Sequence, residues 1–130
     1  MANAQFTIPT PINEPNKMYA PGSAEKLAAK EELKRQKSQK IEIPIIIGGK
    51  RITGRKKVDV ICPHDKNHVL AECNQATKED VAAAIENCLA ARKKWAALPW
   101  EQRAAVFLKA ADLLTNSWRQ RINVSTMLCQ

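Results

Sequence analysis

The chain has 130 residues, 45% of them hydrophobic and 26% charged, with a formal net charge of +8. That length bounds it to one domain at most, long enough for a real core, and the composition is ordinary for a soluble globular protein. No apolar run approaches the ~20 residues of a membrane span; the longest, Ile43 to Ile47, contains Pro44.

Residues 1–22 carry Pro9, Pro11, Pro15 and Pro21, with Gly22 after them. Proline removes backbone donors and biases the preceding residue away from helix, so an extended arm is expected there. Met1 to Lys17 has no secretory pattern and no arginine, which speaks against a mitochondrial transit peptide and makes a cytoplasmic location the expectation. Ser23 reads as an N-cap for a helix over Ala24 to Gln39, a run of strong helix formers. Its apolar positions, chiefly Leu27, Ala28 and Leu33, are too few to bury a wide face.

The β-branched stretch Ile41 to Ile47 suits a strand. Gly48-Gly49 permits the positive φ angles of a two-residue hairpin turn, with Lys50 to Thr53 returning as partner. Gly54 breaks that strand. Val58 to Cys62 reads as a third strand, Pro63 to Asn67 as a turn, and Val69 to Cys73 as a fourth strand.

Thr77-Lys78-Glu79-Asp80 resembles a capping box with Asp in place of Glu. Val81, Ile85, Cys88, Leu89 and Trp95 follow at three- and four-residue steps and give one apolar helix face. Leu98-Pro99 ends that helix and starts another, whose stripe is Val106, Phe107, Ala110, Leu113, Leu114 and Trp118. The two are expected to pack as an antiparallel pair. A further helix is expected from near Arg119 to Gln130, where the chain stops with no cap or polar tail, as a truncated product would.

Charge is uneven. Residues 1–57 hold 12 Lys/Arg against 5 Asp/Glu, net +7, and residues 58–130 hold 9 against 8, net +1. A basic stripe can bind nucleic acid or an anionic membrane, but a solvated helix face is the simpler reading. Cys62, Cys73, Cys88 and Cys129 include no C-x-x-C pair, and without a signal peptide reduced thiols are expected.

Chemistry is sparse. Cys62, His64, His68 and Cys73 are all possible zinc ligands, but their spacing matches no zinc pattern. Sheet packing for the thiols and a turn for the imidazoles explain them. Gly48-Gly49-Lys50 lacks the Walker pattern and is followed by a strand, and no G-x-G-x-x-G is present. Cys88 falls on an apolar helix face, and Cys129 has no visible activating base. Glu31-Glu32 and Glu79-Asp80 are adjacent pairs that diverge on a helix. Trp95, Trp100 and Trp118 suit packing better than base stacking. Read from the residues alone, the chain is α/β with no catalytic, cofactor-binding or metal site.

Residues 59–114 resemble the N-terminal signature of aldehyde dehydrogenases. Val60-Ile61-Cys62-Pro63-His64-Asp65 is similar to that family's opening strand and turn. Ala76-Thr77-Lys78-Glu79-Asp80-Val81 and Ala83-Ala84-Ile85 resemble its first core helix, which Ala90-Ala91-Arg92-Lys93-Lys94-Trp95 ends. Glu101-Gln102-Arg103-Ala104 and Phe107 to Leu114 resemble the second. Three stretches resemble the branch that acts on 1-pyrroline-5-carboxylate (glutamate semialdehyde): Ile12 to Pro15 with Tyr19 to Ser23, Ile43 to Gly49, and Thr126 to Gln130. In the last, Cys129 stands where the branch has glycine.

The resemblance implies the N-terminal part of an aldehyde dehydrogenase fold: arm and helix, short antiparallel strands, a helical pair, and an incomplete Rossmann-like domain. Residues 1–40 would be the arm and solvated helix, and 41–130 the opening of the NAD-binding domain. It also implies a reaction, in which a cysteine thiolate attacks the aldehyde, hydride passes to NAD, and a glutamate activates water to release glutamate. The small-molecule substrate, NAD and homo-oligomeric assembly belong to the complete enzyme. Thiolate, oxyanion donors, base and NAD-binding residues lie beyond residue 130 in such enzymes, so none maps onto this chain and the 130 residues alone are expected to be inactive. Two other expectations compete: a small basic module binding an acidic partner or nucleic acid through residues 26–57, and a truncated remnant without function.

Overall fold

Ser23 caps the first helix as its side chain predicts, its hydroxyl accepting the Lys26 N–H at 3.4 Å. The computed structural model describes Thr7 and residues 9–130; residues 1–6 and Ile8 of the expected arm lie outside the described residues. Helix α1 spans Ala24–Lys37, with Glu25 in its first turn and Lys34, Arg35 and Lys37 in its last, a charge order that matches the helix dipole.

The expected strand over Ile41 to Ile47 is two strands. Pro44, with no N–H and a fixed φ, interrupts the ladder between β1 (Ile41–Ile43) and β2 (Ile45–Ile47). The halves then join different sheets. β2 pairs antiparallel with β3 (Lys50–Ile52), Ile47 opposite Lys50, across Gly48-Gly49 at φ 58° and 77°. Both angles are positive, as the two-residue turn requires. β1 instead pairs parallel with β5 (Asp65–Asn74), which also pairs antiparallel with β4 (Lys57–Cys62), giving the order β1-β5-β4. The antiparallel expectation therefore holds for two of the three strand pairs. The turn expected over Pro63 to Asn67 shrinks to Pro63-His64, because Asp65 already faces Cys62 across the ladder, with register shifts between Val60 and Cys62 that leave the extra residues on β5.

Helix α2 (Lys78–Ala97) opens with the expected reciprocal capping box between Thr77 and Asp80. α3 (Trp100–Thr115) follows Leu98 and Pro99, and α4 runs over Arg119–Cys129. The antiparallel α2–α3 pair is not formed. Leu98 and Pro99 are both extended, at ψ 138° and 144°, and redirect the chain. α2 then touches β2, and α3 touches α4.

The core sits elsewhere. Cys62, Leu70, Val124 and Leu128 are buried together, with Leu33 of α1 packed against them. Helix α1 lies along α4, and Gln36 fastens the two: its amide donates to Arg121 O at 2.9 Å and accepts from Ser125 Oγ at 3.0 Å. Among the described residues no helix is long and apolar enough to cross a membrane.

Candidate functional site

The four residues singled out as possible metal ligands do not converge. Cys62 and His64 meet across the β4–β5 turn, Sγ lying 3.2 Å from Nε2. Cys73 stands opposite Val58 at the far end of the same ladder, so roughly 13 Å of strand separates it from Cys62. Its thiol donates to Asn74 O at 3.8 Å. Among the described residues, no group of three or more His, Cys, Asp or Glu is placed to hold a metal ion.

A thiol beside an imidazole is the minimal unit of nucleophilic catalysis. Cys62, however, is fully buried in the core, so no carbonyl carbon reaches its sulfur. Cys88 and Cys129 are exposed free thiols. Packing was the expectation for Cys88, but its helix face remains open to solvent.

The best-built polar constellation joins the sheet to α2. The buried amide of Asn74 donates to Glu42 Oε1 and Ile43 O, both at 3.0 Å, and its oxygen accepts the Arg55 N–H at 3.1 Å. Arg55 then forks onto Asp80, Nε to Oδ2 at 3.1 Å and Nη2 to Oδ1 at 2.9 Å. The guanidinium, followed by the Thr77 N–H, holds the Asp80 carboxyl down at about 2. On the exposed side Lys57 bridges Glu42 and Glu72, each at 3.1 Å, and Lys40 binds Glu72 at 2.7 Å. Register places Glu42 beside Glu72; the Asn74 amide and then Lys57 lower the Glu42 carboxyl, and Lys40 and then Lys57 lower that of Glu72. Sequence reading found the Thr77–Asp80 box by its three-residue spacing. It missed Arg55 and Asn74, whose partners are 19 to 32 residues away.

This network orients elements; it offers no exposed acid–base pair or nucleophile. What the chain presents instead is surface. Ile85 of α2 is 57% exposed and Phe107 of α3 is 69% exposed, and Val81, Leu89, Val106 and Leu114 are open beside them. Between α1, α4 and the edge of β1 runs a cleft of about 490 Å³, floored by Ile41, Ile43, Leu70 and Leu128 and flanked by Arg35 and Arg121. The arrangement can dock other protein.

Eight of the eleven basic residues of 26–57 fall into two groups. Arg35, Lys40, Arg55 and Lys57 are ion-paired within the chain. Lys26, Lys30, Lys34 and Lys37 lie on α1, with Lys34 and Lys37 exposed and Lys26 and Lys30 bordering the groove between α1 and α4.

Comparison with known proteins supplies the rest. The aldehyde dehydrogenase family model matches residues 51–128. A mitochondrial delta-1-pyrroline-5-carboxylate dehydrogenase from Dictyostelium discoideum is 43% identical over 128 residues, which cover 98% of this chain and 23% of that protein. Its namesake from Emericella nidulans is 41% identical over 125 residues, covering 95% and 22%. Among solved structures, the delta-pyrroline-5-carboxylate dehydrogenase of Mycobacterium tuberculosis bound with NAD superposes with a TM-score of 0.93 at 42% identity, over 98% of this chain and 24% of that one. The chain thus spans about a quarter of the length of the relatives it matches.

Proposed function

The chain belongs to the aldehyde dehydrogenase family, and from that membership we propose that it forms the N-terminal part of an NAD-dependent enzyme oxidising 1-pyrroline-5-carboxylate, as glutamate semialdehyde, to glutamate. The observation that carries this reading is fold and sequence agreement with an NAD-bound enzyme of that name over nearly the whole chain. The open faces of α2 and α3 support it, since apolar stripes at this spacing suit docking onto further protein. In this reading residues 1–40 are arm and solvated helix, residues 41–130 open the NAD-binding domain, and the nucleophile, base and cofactor contacts come from sequence outside this chain. The complete protein would be a homo-oligomer. The ion-paired state of Arg35, Lys40, Arg55 and Lys57 favours this over a nucleic-acid module.

Free thiols at all four cysteines fit a reducing compartment. A cytoplasmic location is part of the proposal, and fractionation decides it against the mitochondrial one printed for relatives such as the Dictyostelium protein.

The test follows NADH absorbance with glutamate semialdehyde as substrate. The protein encoded by the gene together with any downstream coding sequence is expected to reduce NAD, and these 130 residues alone are not. NAD reduction by the 130 residues, or an inert longer protein that still binds NAD, defeats the proposal.

A further inference from the structure

Helix α4 is poorly equipped to form alone. It has 11 residues, below the length at which an isolated helix is stable in water. Its N-cap is Trp118, whose side chain makes no cap hydrogen bond, and its first turn holds no acidic residue. That turn instead carries Arg119 and Arg121, cations at the end of the helix where the dipole disfavours them. The Arg121 guanidinium stacks over the Trp118 ring at 4.8 Å. Arg119 is ion-paired with Glu14, more than a hundred residues earlier in the arm.

A second tie lies one turn further along. Asn123 Nδ2 donates to Tyr19 Oη at 3.3 Å. Tyr19 has φ 49°, the one non-glycine residue with positive φ among those described. A bulky side chain in the left-handed region is strained, and such a conformation persists only where surrounding contacts enforce it. Ala20 and Ser23 close the turn behind it, Ser23 N–H to Ala20 O at 3.0 Å, and feed the chain directly into α1. Beneath Tyr19, the groove between α1 and α4 is walled by Ala29, Leu33, Gln120 and Met127.

We propose that arm residues Glu14 to Tyr19 act as a clasp that completes α4: Glu14 supplies the negative charge that the helix N-terminus lacks, and Tyr19 latches the arm across the α1–α4 groove. Attachment of the arm then governs the order of α4 and of the cleft that Leu128 and Arg121 help to wall on its opposite side. The clasp is independent of which aldehyde the enzyme oxidises.

Hydrogen exchange on the intact protein tests this, comparing wild type with Glu14→Gln and Tyr19→Phe. Glu14→Gln keeps the shape of the side chain and removes its charge; it is expected to raise exchange of α4 amides about 5-fold. Tyr19→Phe removes only the hydroxyl and is expected to raise it about 3-fold. In both, β4 and β5 amides should exchange as in wild type. Unchanged α4 protection in both variants overturns the proposal. So does faster exchange confined to the arm, or a uniform rise through β4 and β5, which would assign these residues to global stability.

Discussion

Two helical regions of this chain carry similar apolar periodicity and meet opposite fates. In α4, Val124 and Leu128 are 0% and 2% exposed, pressed against Cys62 and Leu70 of the sheet and Leu33 of α1. In α3, Val106, Phe107 and Leu114 sit at equally regular spacing and remain open. α3 even has the more apolar sequence. A helical repeat therefore fixes which side chains share a face, while a partner decides whether that face is worth free energy. α4 has its partner inside the chain. α2 and α3 have faces of the kind that dock onto further protein, which is why the proposed function places that protein outside these residues.

The sharpest way to break this comparison is to shorten one side chain in each region. Leu128→Ala should cost about 2–4 kcal/mol in urea unfolding, because the lost contacts leave a cavity in the only buried cluster among the described residues. An effect below about 1 kcal/mol would mean that α4 is not docked as described.

Next in size is the joint between the hairpin and α2. A Cβ on Gly48 would lie 2.6 Å from Asn87 Nδ2, at a backbone φ of 58°. Gly48→Ala should therefore destabilise by about 1–2 kcal/mol. Gly49 has φ 77° but open space around it, so Gly49→Ala should cost less, through backbone strain alone. Equal costs for the two substitutions would show that Asn87 does not restrain the turn.

Electrostatics give a smaller, pH-dependent contrast. Asp80 lies at about 2 in the folded chain against an ordinary 3.8. A depressed carboxyl contributes stability that is fully present above its unfolded value and is lost as pH falls through the folded one. The contribution of Asp80 should thus disappear as pH drops from about 4 toward 2. Arg55 is the largest cause of the depression, so Arg55→Gln should raise the Asp80 midpoint in an NMR titration and flatten stability across that window. An unmoved midpoint would assign the depression to the Thr77 N–H and the helix start instead.

The smallest effect belongs to the open face. Phe107→Ala in the 130-residue chain should change unfolding free energy by less than about 0.5 kcal/mol while reducing self-association in sedimentation. A cost comparable to that of Leu128→Ala would mean that Phe107 is already packed within the chain.

Much of the architecture was legible because its causes are local. Ser23 and Thr77 announce helix starts through hydroxyls that reach N–H groups three residues on. Gly48-Gly49 announces a hairpin because both turn positions need positive φ. The resemblance of residues 59–114 to aldehyde dehydrogenases was also readable, since it rests on side chains in order, and the family match over residues 51–128 agrees with it. Pro44 was visible too, yet the consequence drawn from it fell short. A proline without an N–H must interrupt a ladder, but only the assembled sheet decides that β1 then leaves its hairpin to lie parallel to β5.

What the sequence determined by itself is therefore what depends on neighbours within a few residues: caps, turns, helix periodicity and family membership. What the tertiary structure alone decided depends on groups brought together from far apart. Arg55 finds Asp80, Asn74 binds Glu42 and Ile43, and Glu14 reaches Arg119. The fully buried state of Cys62, which removes its thiol from chemistry, belongs with these. The physical reason is shared. Short-range hydrogen bonds and φ preferences are set by the chain's own covalent geometry, whereas burial and ion pairing exist only once the fold has brought distant segments into contact.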